Sequence, residues 1–356
     1  MKILLTGGGT QGHVSGNMAL VPTLKKNNVT IDYVGTARGM ERDIVAKDSY
    51  IKYHIIPAGK FDRSLTIKNF RNAYRVVKGV IAAKKLIREL KPDIVFSKGG
   101  FVTVPVVVAA KKSNIPVIIH ESDITPGLAN KLSSRYADKI CTTFPETVEY
   151  FNSDKAICTG SPIRDEIFTG NKDLGYKLCG FTQQKPTIMV MGGSSGALAL
   201  NQLTRAVLND ILPRYNVIHI CGKDGTDPKY ESINGYKQFG YVSSELCHLF
   251  AATDITLSRS GSNAIFEFLA LKIPMLLVPL PKGNSRGDQI VNAESFEKSG
   301  FAMVCQQEEL TPELLVQKID ELYRQRDQIQ ANMSGSALLN GTKNILDLIY
   351  TTAKSK

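Results

Sequence analysis

Short β-branched apolar runs alternate with longer amphipathic stretches along the whole chain, which predicts parallel sheets built from strand–helix–strand units. In the first half the strand-like runs fall at 3–6, 31–34, 53–56, 94–96, 117–120 and 139–142. In the second half they fall at 187–191, 216–221, 236–239, 255–258, 274–278 and 302–305. Helices are expected at 18–26 and 197–212, each after the first strand of its half, and a last one at 336–350. Near Thr159-Gly160-Ser161-Pro162 the alternation pauses, and Pro162 disfavours helix at Ser161. The expected domains are therefore 1–160 and 161–335. The longest apolar run, 101–110, holds Pro105 and is far short of the roughly 20 residues of a membrane span.

Two glycine-rich loops punctuate this pattern. Gly7-Gly8-Gly9-Thr10-Gln11-Gly12-His13 follows the first strand, and Gly192-Gly193-Ser194-Ser195-Gly196 follows the first strand of the second half. A glycine loop between a buried strand and a helix exposes backbone N–H groups at the positive end of the helix dipole, a ready site for an anion. Ser97-Lys98-Gly99-Gly100-Phe101 offers another such turn, or a plain strand–helix connection. Gly7, Gly9 and Gly12 also satisfy G-x-G-x-x-G, with Asp32 twenty residues on, so a nicotinamide dinucleotide site is one reading. A tight turn with an incidental His13 is another. An imidazole at a helix start is biased toward the neutral form that a general base needs.

Further polar groups end other strands. Ser258-Arg259-Ser260-Gly261-Ser262-Asn263 opens a helix, with Glu267 six residues past Gly261. That carboxylate could accept from two vicinal hydroxyls of a ribose, or serve as a first-turn acid favoured by the dipole. Asn284-Ser285-Arg286-Gly287-Asp288-Gln289 lies where ligands of open α/β sheets bind. His120-Glu121-Ser122-Asp123 suggests metal by composition, but neighbours on a strand point to opposite faces, and no metal site is expected.

Charge sharpens the picture. The chain carries +11, and all of it lies in residues 1–160, with 24 Lys and Arg against 13 Asp and Glu. Residues 60–91 alone hold ten basic and two acidic residues. There Ile67, Phe70, Tyr74, Val77 and Ile81 share one helical face, bordered by Lys68, Arg71, Arg75 and Lys78. Such a helix would lie on an anionic membrane surface, or pack its apolar stripe on the core and leave the basic one in water. The segment has few aromatics and no RNA-binding signature, so nucleic acid is not expected. Six cysteines without a C-x-x-C pair suggest neither zinc nor a disulfide frame, and the start of the chain is too short for a signal peptide.

Seven motifs occur in one order over roughly 290 residues: GGGTQGH, KGGF, HESD-x-TPGLANK, GSPIR, GGSSGA, SRSGS…E and SRGDQ-x-x-NA. Together they resemble the MurG family, the N-acetylglucosaminyltransferases of glycosyltransferase family 28 that make lipid II for peptidoglycan. The resemblance implies an α/β GT-B fold, two Rossmann-like doubly wound parallel-sheet domains facing a cleft, with the last helix, 336–356, returning to the first. It implies inverting transfer of GlcNAc from UDP-GlcNAc to the C4 hydroxyl of MurNAc in undecaprenyl-pyrophosphoryl-MurNAc-pentapeptide, lipid I.

Carried over by motif, Glu267 would bind the ribose, the backbone near Val242 the uracil, and Gln289 the GlcNAc hydroxyls. Ser194 with Ser262, Asn263 and Ala264 would meet the diphosphate, Ile265 and Phe266 belonging to the same donor segment. Arg164 would reach the nucleotide side, and Thr10, Gln11 and Gly12 are assigned to the donor as well. Gly9, Gly99, Gly100 and Phe101 would cradle the acceptor's pyrophosphate. His13 leads as general base, with Asp123 and Glu121 next. Gln11 stands where the family often has glycine, and Asp123 where it often has an asparagine that contacts the donor sugar. Asp123 would thus bind sugar or help to activate the acceptor. No D-x-D metal motif is present, and no cofactor or metal is expected. The partners implied are UDP-GlcNAc, lipid I, an anionic membrane surface and other cell-wall synthesis proteins, at the cytoplasmic face of the cell membrane as a peripheral protein.

Overall fold

The computed structural model describes residues 1–59, 67–182, 184–193, 196–283 and 287–354, and over 67–73 the backbone alone. The chain forms two compact units, Met1–Arg164 with Ala337–Lys356, and Asp165–Ser336.

The first unit is a seven-stranded sheet in which every neighbouring pair is parallel. Its strands are β1 (Lys2–Thr6), β2 (Thr30–Gly35), β3 (Lys52–Ile55), β4 (Ile94–Ser97), β5 (Val117–Glu121), β6 (Lys139–Thr142) and β7 (Ala156–Cys158). They lie in the order β3-β2-β1-β4-β5-β6-β7. Its helices are α1 (Gln11–Met18), α2 (Val21–Lys26), α3 (Met40–Val45), α4 (Ile67–Leu90), α5 (Thr103–Lys112) and α6 (Leu128–Ser133).

The second unit is a six-stranded parallel sheet. It runs α7 (Lys172–Cys179), β8 (Thr187–Met191), α8 (Leu198–Ala206), α9 (Leu208–Ile211), β9 (Asn216–Ile220), β10 (Tyr236–Phe239) and α10 (Leu246–Ala251). Then come β11 (Ile255–Ser258), α11 (Ser262–Leu271), β12 (Met275–Leu277), α12 (Asp288–Lys298), β13 (Ala302–Val304) and α13 (Pro312–Ser334). The order β10-β9-β8-β11-β12-β13 repeats the doubly wound plan of the first unit. The chain then returns to the first unit as α14 (Gly341–Lys354).

Both faces of the central strands of the first sheet are buried, which is why β1, β4 and β5 carry apolar residues toward both sides rather than at alternate positions. Ile3, Leu5, Ile94, Phe96 and Ile118 face a core completed by Val14 and Leu24, and by Ile345, Leu346 and Ile349 of α14. Leu4, Val95, Val117 and Ile119 face the opposite core, completed by Ala83 and Ile87 of α4 and by Val106, Val107 and Ala110 of α5.

Four expectations are corrected, the first being the helix at 197–212, which divides into α8 and α9 at Val207. The helix expected at 18–26 begins at Gln11 and is two helices, the second with Pro22 in its first turn, where the missing N–H costs nothing. The last helix starts at Gly341, after a 3₁₀ turn at Ala337–Asn340. On α4, core packing falls to Gly79, Ala83 and Ile87, whereas Tyr74, Val77 and Ile81 are 60%, 58% and 66% exposed. Ile67, Phe70 and Arg71 have side chains outside the described residues. Among the described residues no helix is long and apolar enough to cross a membrane.

Candidate functional site

In each sheet the strand order reverses at one place, between β1 and β4 in the first unit and between β8 and β11 in the second. Helices leave opposite faces of the sheet there and open a crevice at the carboxyl ends of the two strands. The glycine loops follow β1, β4 and β8, and Arg259-Ser260-Gly261 follows β11.

In the first unit the loops after β1 and β4 lock together. The Gly8 N–H donates to the Gly99 carbonyl at 3.2 Å. Gly100 has φ +95°, and a Cβ there would stand 2.1 Å from the Gly8 carbonyl oxygen, so only glycine allows this approach. The Phe101 ring lies against Gly9. Gly9, Thr10 and Gln11 are exposed, and Gly12 is half-buried. Thr10 occupies the N-cap of α1 without a side-chain cap bond, and no acid lies in the first turn, so the helix start presents N–H donors without a resident anion. Beneath the loop the Tyr33 hydroxyl donates to the Gly7 carbonyl at 2.7 Å. Glu41, buried against Gly8, accepts from the Thr36 N–H at 2.9 Å and from its hydroxyl at 2.7 Å.

His13 is the third residue of α1 and is half-buried. Its Nδ1 lies 2.9 Å from the Gly8 carbonyl, which can only accept, so Nδ1 carries the proton. In the neutral ring the basic nitrogen is then Nε2.

The turn after β5 is folded by Glu121. One carboxylate oxygen accepts from the Ser122 and Asp123 N–H groups at 2.8 and 3.1 Å. The other accepts from the Gly127 N–H at 3.0 Å and from Asn130 Nδ2 at 2.9 Å. With four bonds accepted, Glu121 shapes the turn and is poorly disposed to take a proton from a substrate. Asp123 is half-buried in that turn. His120 points to the other face of the sheet, its Nε2 3.2 Å from the Gly160 carbonyl. Among the described residues no group of His, Cys, Asp and Glu is arranged to hold a metal ion. Sequence reading missed Lys98, which is fully buried with its Nζ 2.8 Å from His120 Nδ1 and 2.7 Å from Ser122 Oγ.

Asp32 does not behave as a ribose ligand of a dinucleotide fold. It is buried in β2 and paired with His54 at 2.6 Å, three residues before the strand ends at Gly35. At about 3.3 Å per residue that is roughly 10 Å short of the carboxyl edge.

In the second unit Ser194 lies outside the described residues, and Gly192, Gly193 and Gly196 frame it. Ala197, at the N-cap of α8, makes no side-chain cap bond. Nor does Gly261 at the N-cap of α11, and the first turn there holds no acid. Asn263 and Ala264 are half-buried beside the buried Ser262, while the Ile265 and Phe266 side chains are buried in the core. Phe266 packs edge-on against Phe296. Glu267 sits in the second turn, half-buried, which removes the reading of it as a first-turn acid.

Gln289, at the start of α12, accepts from the Leu280 N–H at 3.1 Å through Oε1, which turns its amide nitrogen into the group available to donate. Ser260 Oγ donates to the Gln289 carbonyl at 2.7 Å, so the loop after β11 holds α12 in place. Arg259, also unforeseen, bonds the carbonyls of Val278 and Pro279 and the Gln307 side chain, tying together the segments that follow β12 and β13. Val242 is half-buried in the turn after β10, and Arg164, half-buried, ends the first of the two segments that make up the first unit.

The comparisons with known proteins agree with this layout. The N-terminal domain profile of glycosyltransferase family 28 matches residues 3–142, and the C-terminal domain profile matches 187–349. A Clostridium botulinum protein is 53% identical over 353 residues, 99% of each chain, and a Clostridium tetani protein 50% identical over 356 residues, also 99% of each. Both are named UDP-N-acetylglucosamine--N-acetylmuramyl-(pentapeptide) pyrophosphoryl-undecaprenol N-acetylglucosamine transferase. The crystal structure of Acinetobacter baumannii MurG is similar with a TM-score of 0.78 at 25% identity, covering 98% of this chain and 99% of that one.

Proposed function

The chain belongs to glycosyltransferase family 28, and on that premise we propose that it transfers N-acetylglucosamine from UDP-GlcNAc to the C4 hydroxyl of MurNAc in lipid I, with inversion, forming lipid II. Its two parallel-sheet units are those of a GT-B enzyme. The observation that carries the reading is that each unit has its own uncapped helix start at its own strand-order reversal, one for each of two substrates bearing a diphosphate.

In this reading the second unit holds the donor. The starts of α8 and α11 stabilise the charge that develops on the leaving UDP, as preorganised dipoles rather than as a proton source. Glu267 accepts from the ribose hydroxyls, and the amide nitrogen of Gln289 donates to a sugar hydroxyl. The glycine loops of the first unit hold the acceptor's pyrophosphate. His13 Nε2 takes the proton of the attacking C4 hydroxyl, with Nδ1 anchored on Gly8 so that the tautomer is fixed. Asp123 assists from its turn.

Membrane attachment is part of the same reading. The exposed Tyr74, Val77 and Ile81 of α4, flanked by Arg75 and Lys78, form an apolar strip with a basic border suited to an anionic bilayer. A polyprenyl-linked acceptor does not leave the bilayer, so the acceptor unit must reach it.

The test is incubation of the purified protein with labelled UDP-GlcNAc and a lipid I analogue. Label is expected in the lipid product; its absence with folded protein removes the transferase reading.

A further inference from the structure

Strand alternation and register bring Lys98 and His120 together. Lys98 continues the Ile94–Phe96 side of β4, His120 continues the Ile118 side of β5, and Phe96 pairs with Ile118. Both side chains therefore enter the core side covered by α1. There the lysine amine reaches His120 Nδ1 and Ser122 Oγ. His120 Nε2 faces the Gly160 carbonyl and so carries the proton, which leaves Nδ1 to accept from the lysine. A buried ammonium is costly without partners, and a methionine would fill the same space. The next two residues after Lys98 are Gly99 and Gly100, the loop locked to Gly8.

We propose that Lys98 is a positioning residue of the acceptor site, a buried amine that ties β4 to the Ser122–Asp123 turn and holds a positive charge beneath the glycine loops. The inference rests on the transferase reading for its kinetic consequence. Groups from every neighbouring element act on this amine or on its partner: His120 on β5, Glu121 and Asp123 at the turn, Cys141 on β6, and His13 on α1. Burial outweighs the nearby carboxylates and brings Lys98 down to about 7. Burial and the lysine's charge hold His120 well below its ordinary range, so His120 stays neutral while Lys98 titrates. As ammonium, Lys98 donates to both partners and favours a diphosphate above it. As amine it keeps two N–H donors for these partners but loses the charge, so both bonds weaken and the attraction for a diphosphate is gone.

The experiment compares the full-length protein with Lys98→Met over pH 6–9. Acceptor kcat/KM of the unaltered protein should fall as pH rises through about 7. Lys98→Met should lack that alkaline limb and be about ten- to hundredfold slower at pH 6.5, the worth of hydrogen bonds from a charged donor. UDP-GlcNAc affinity should not change. In parallel, 13Cε-lysine NMR of the unaltered protein should show one resonance, absent from Lys98→Met or Lys98→Gln, titrating near 7. An alkaline limb that survives in Lys98→Met, or a lysine set that titrates only above pH 9, overturns the proposal. If the unaltered protein transfers no sugar, the transferase reading fails, while the NMR result decides the state of Lys98 independently.

Discussion

Gly16 makes room for Lys98: a Cβ at Gly16 would stand 2.1 Å from Lys98 Cε. Glycine inside α1 costs helix stability, about 0.5–1 kcal/mol against alanine, and here the missing methyl is where the lysine stem passes. Gly16→Ala should therefore destabilise rather than stabilise the helix it sits in, by about 1–3 kcal/mol from overpacking. Urea unfolding followed by circular dichroism would measure it. A variant as stable as the parent would show that Lys98 can leave this position without loss.

Donor binding should depend on Glu267. Losing hydrogen bonds to a charged acceptor costs roughly 1.5–3 kcal/mol each, so Glu267→Ala should weaken UDP binding by one to a few orders of magnitude. The side chain is half-buried in the second turn of α11, away from the Phe266–Phe296 packing, so the fold should persist. Calorimetry with UDP decides: unchanged affinity removes Glu267 from the donor site.

His13→Ala should separate chemistry from donor binding. General-base assistance is worth about 10²–10⁴ in rate, and kcat should fall by that factor while UDP-GlcNAc affinity holds. Near-normal turnover at saturating substrates would transfer the role to Asp123, whose turn Glu121 already holds in shape.

Much of this fold was legible because the central strands of both sheets are buried on two faces, which turns them into short apolar runs that stand out between helices. The exception is β7, whose three residues Ala156, Ile157 and Cys158 form a sheet edge too short to make a pattern. The glycine loops were legible for a similar reason, since few other residues fit such turns. Lys98 and His120 were not. Each lay in a motif that had been noticed, but their meeting depends on the β4–β5 register, which one sequence does not reveal. Glu41 was hidden likewise, because its approach to Gly8 needs the return of α3 over the end of β2. On α4 the period was readable but its direction was not: the 74, 77, 81 stripe and the 79, 83, 87 stripe both lack charge, and only the second is buried.

Acid should destabilise the second unit through His219. Burial holds this imidazole down to about 3, with its Nδ1 accepting from the Tyr236 hydroxyl at 2.8 Å and Nε2 donating to Asn201 at 3.0 Å. Unfolded, it titrates near 6.5. Between those values the unfolded chain binds the extra proton, so stability is lost as pH falls from about 6.5 toward 3, by up to about 1.4 kcal/mol per pH unit. His219→Gln should flatten this part of the profile while lowering stability at pH 7. Equal slopes in urea midpoints from pH 6.5 to 4 for both proteins would show that His219 is protonated in the folded state.

The membrane reading makes the most separable prediction, because the residues involved point away from the core. Tyr74, Val77 and Ile81 lie on the exposed side of α4, and Lys78 Nζ sits 4.6 Å from the centre of the Tyr74 ring, so cation and apolar strip are contiguous. Val77→Asp with Ile81→Asp should abolish binding to anionic vesicles without lowering thermal stability, since Gly79, Ala83 and Ile87 keep the packing. Arg75→Glu with Lys78→Glu should weaken binding in a salt-dependent way, each lost basic residue being worth about 1 kcal/mol near the surface. Both doubles should retain transfer to a short-chain soluble acceptor and lose it on acceptor embedded in vesicles. Co-sedimentation at physiological salt is the deciding measurement: if the aspartate double still pellets with anionic vesicles as the parent does, α4 is not the membrane contact.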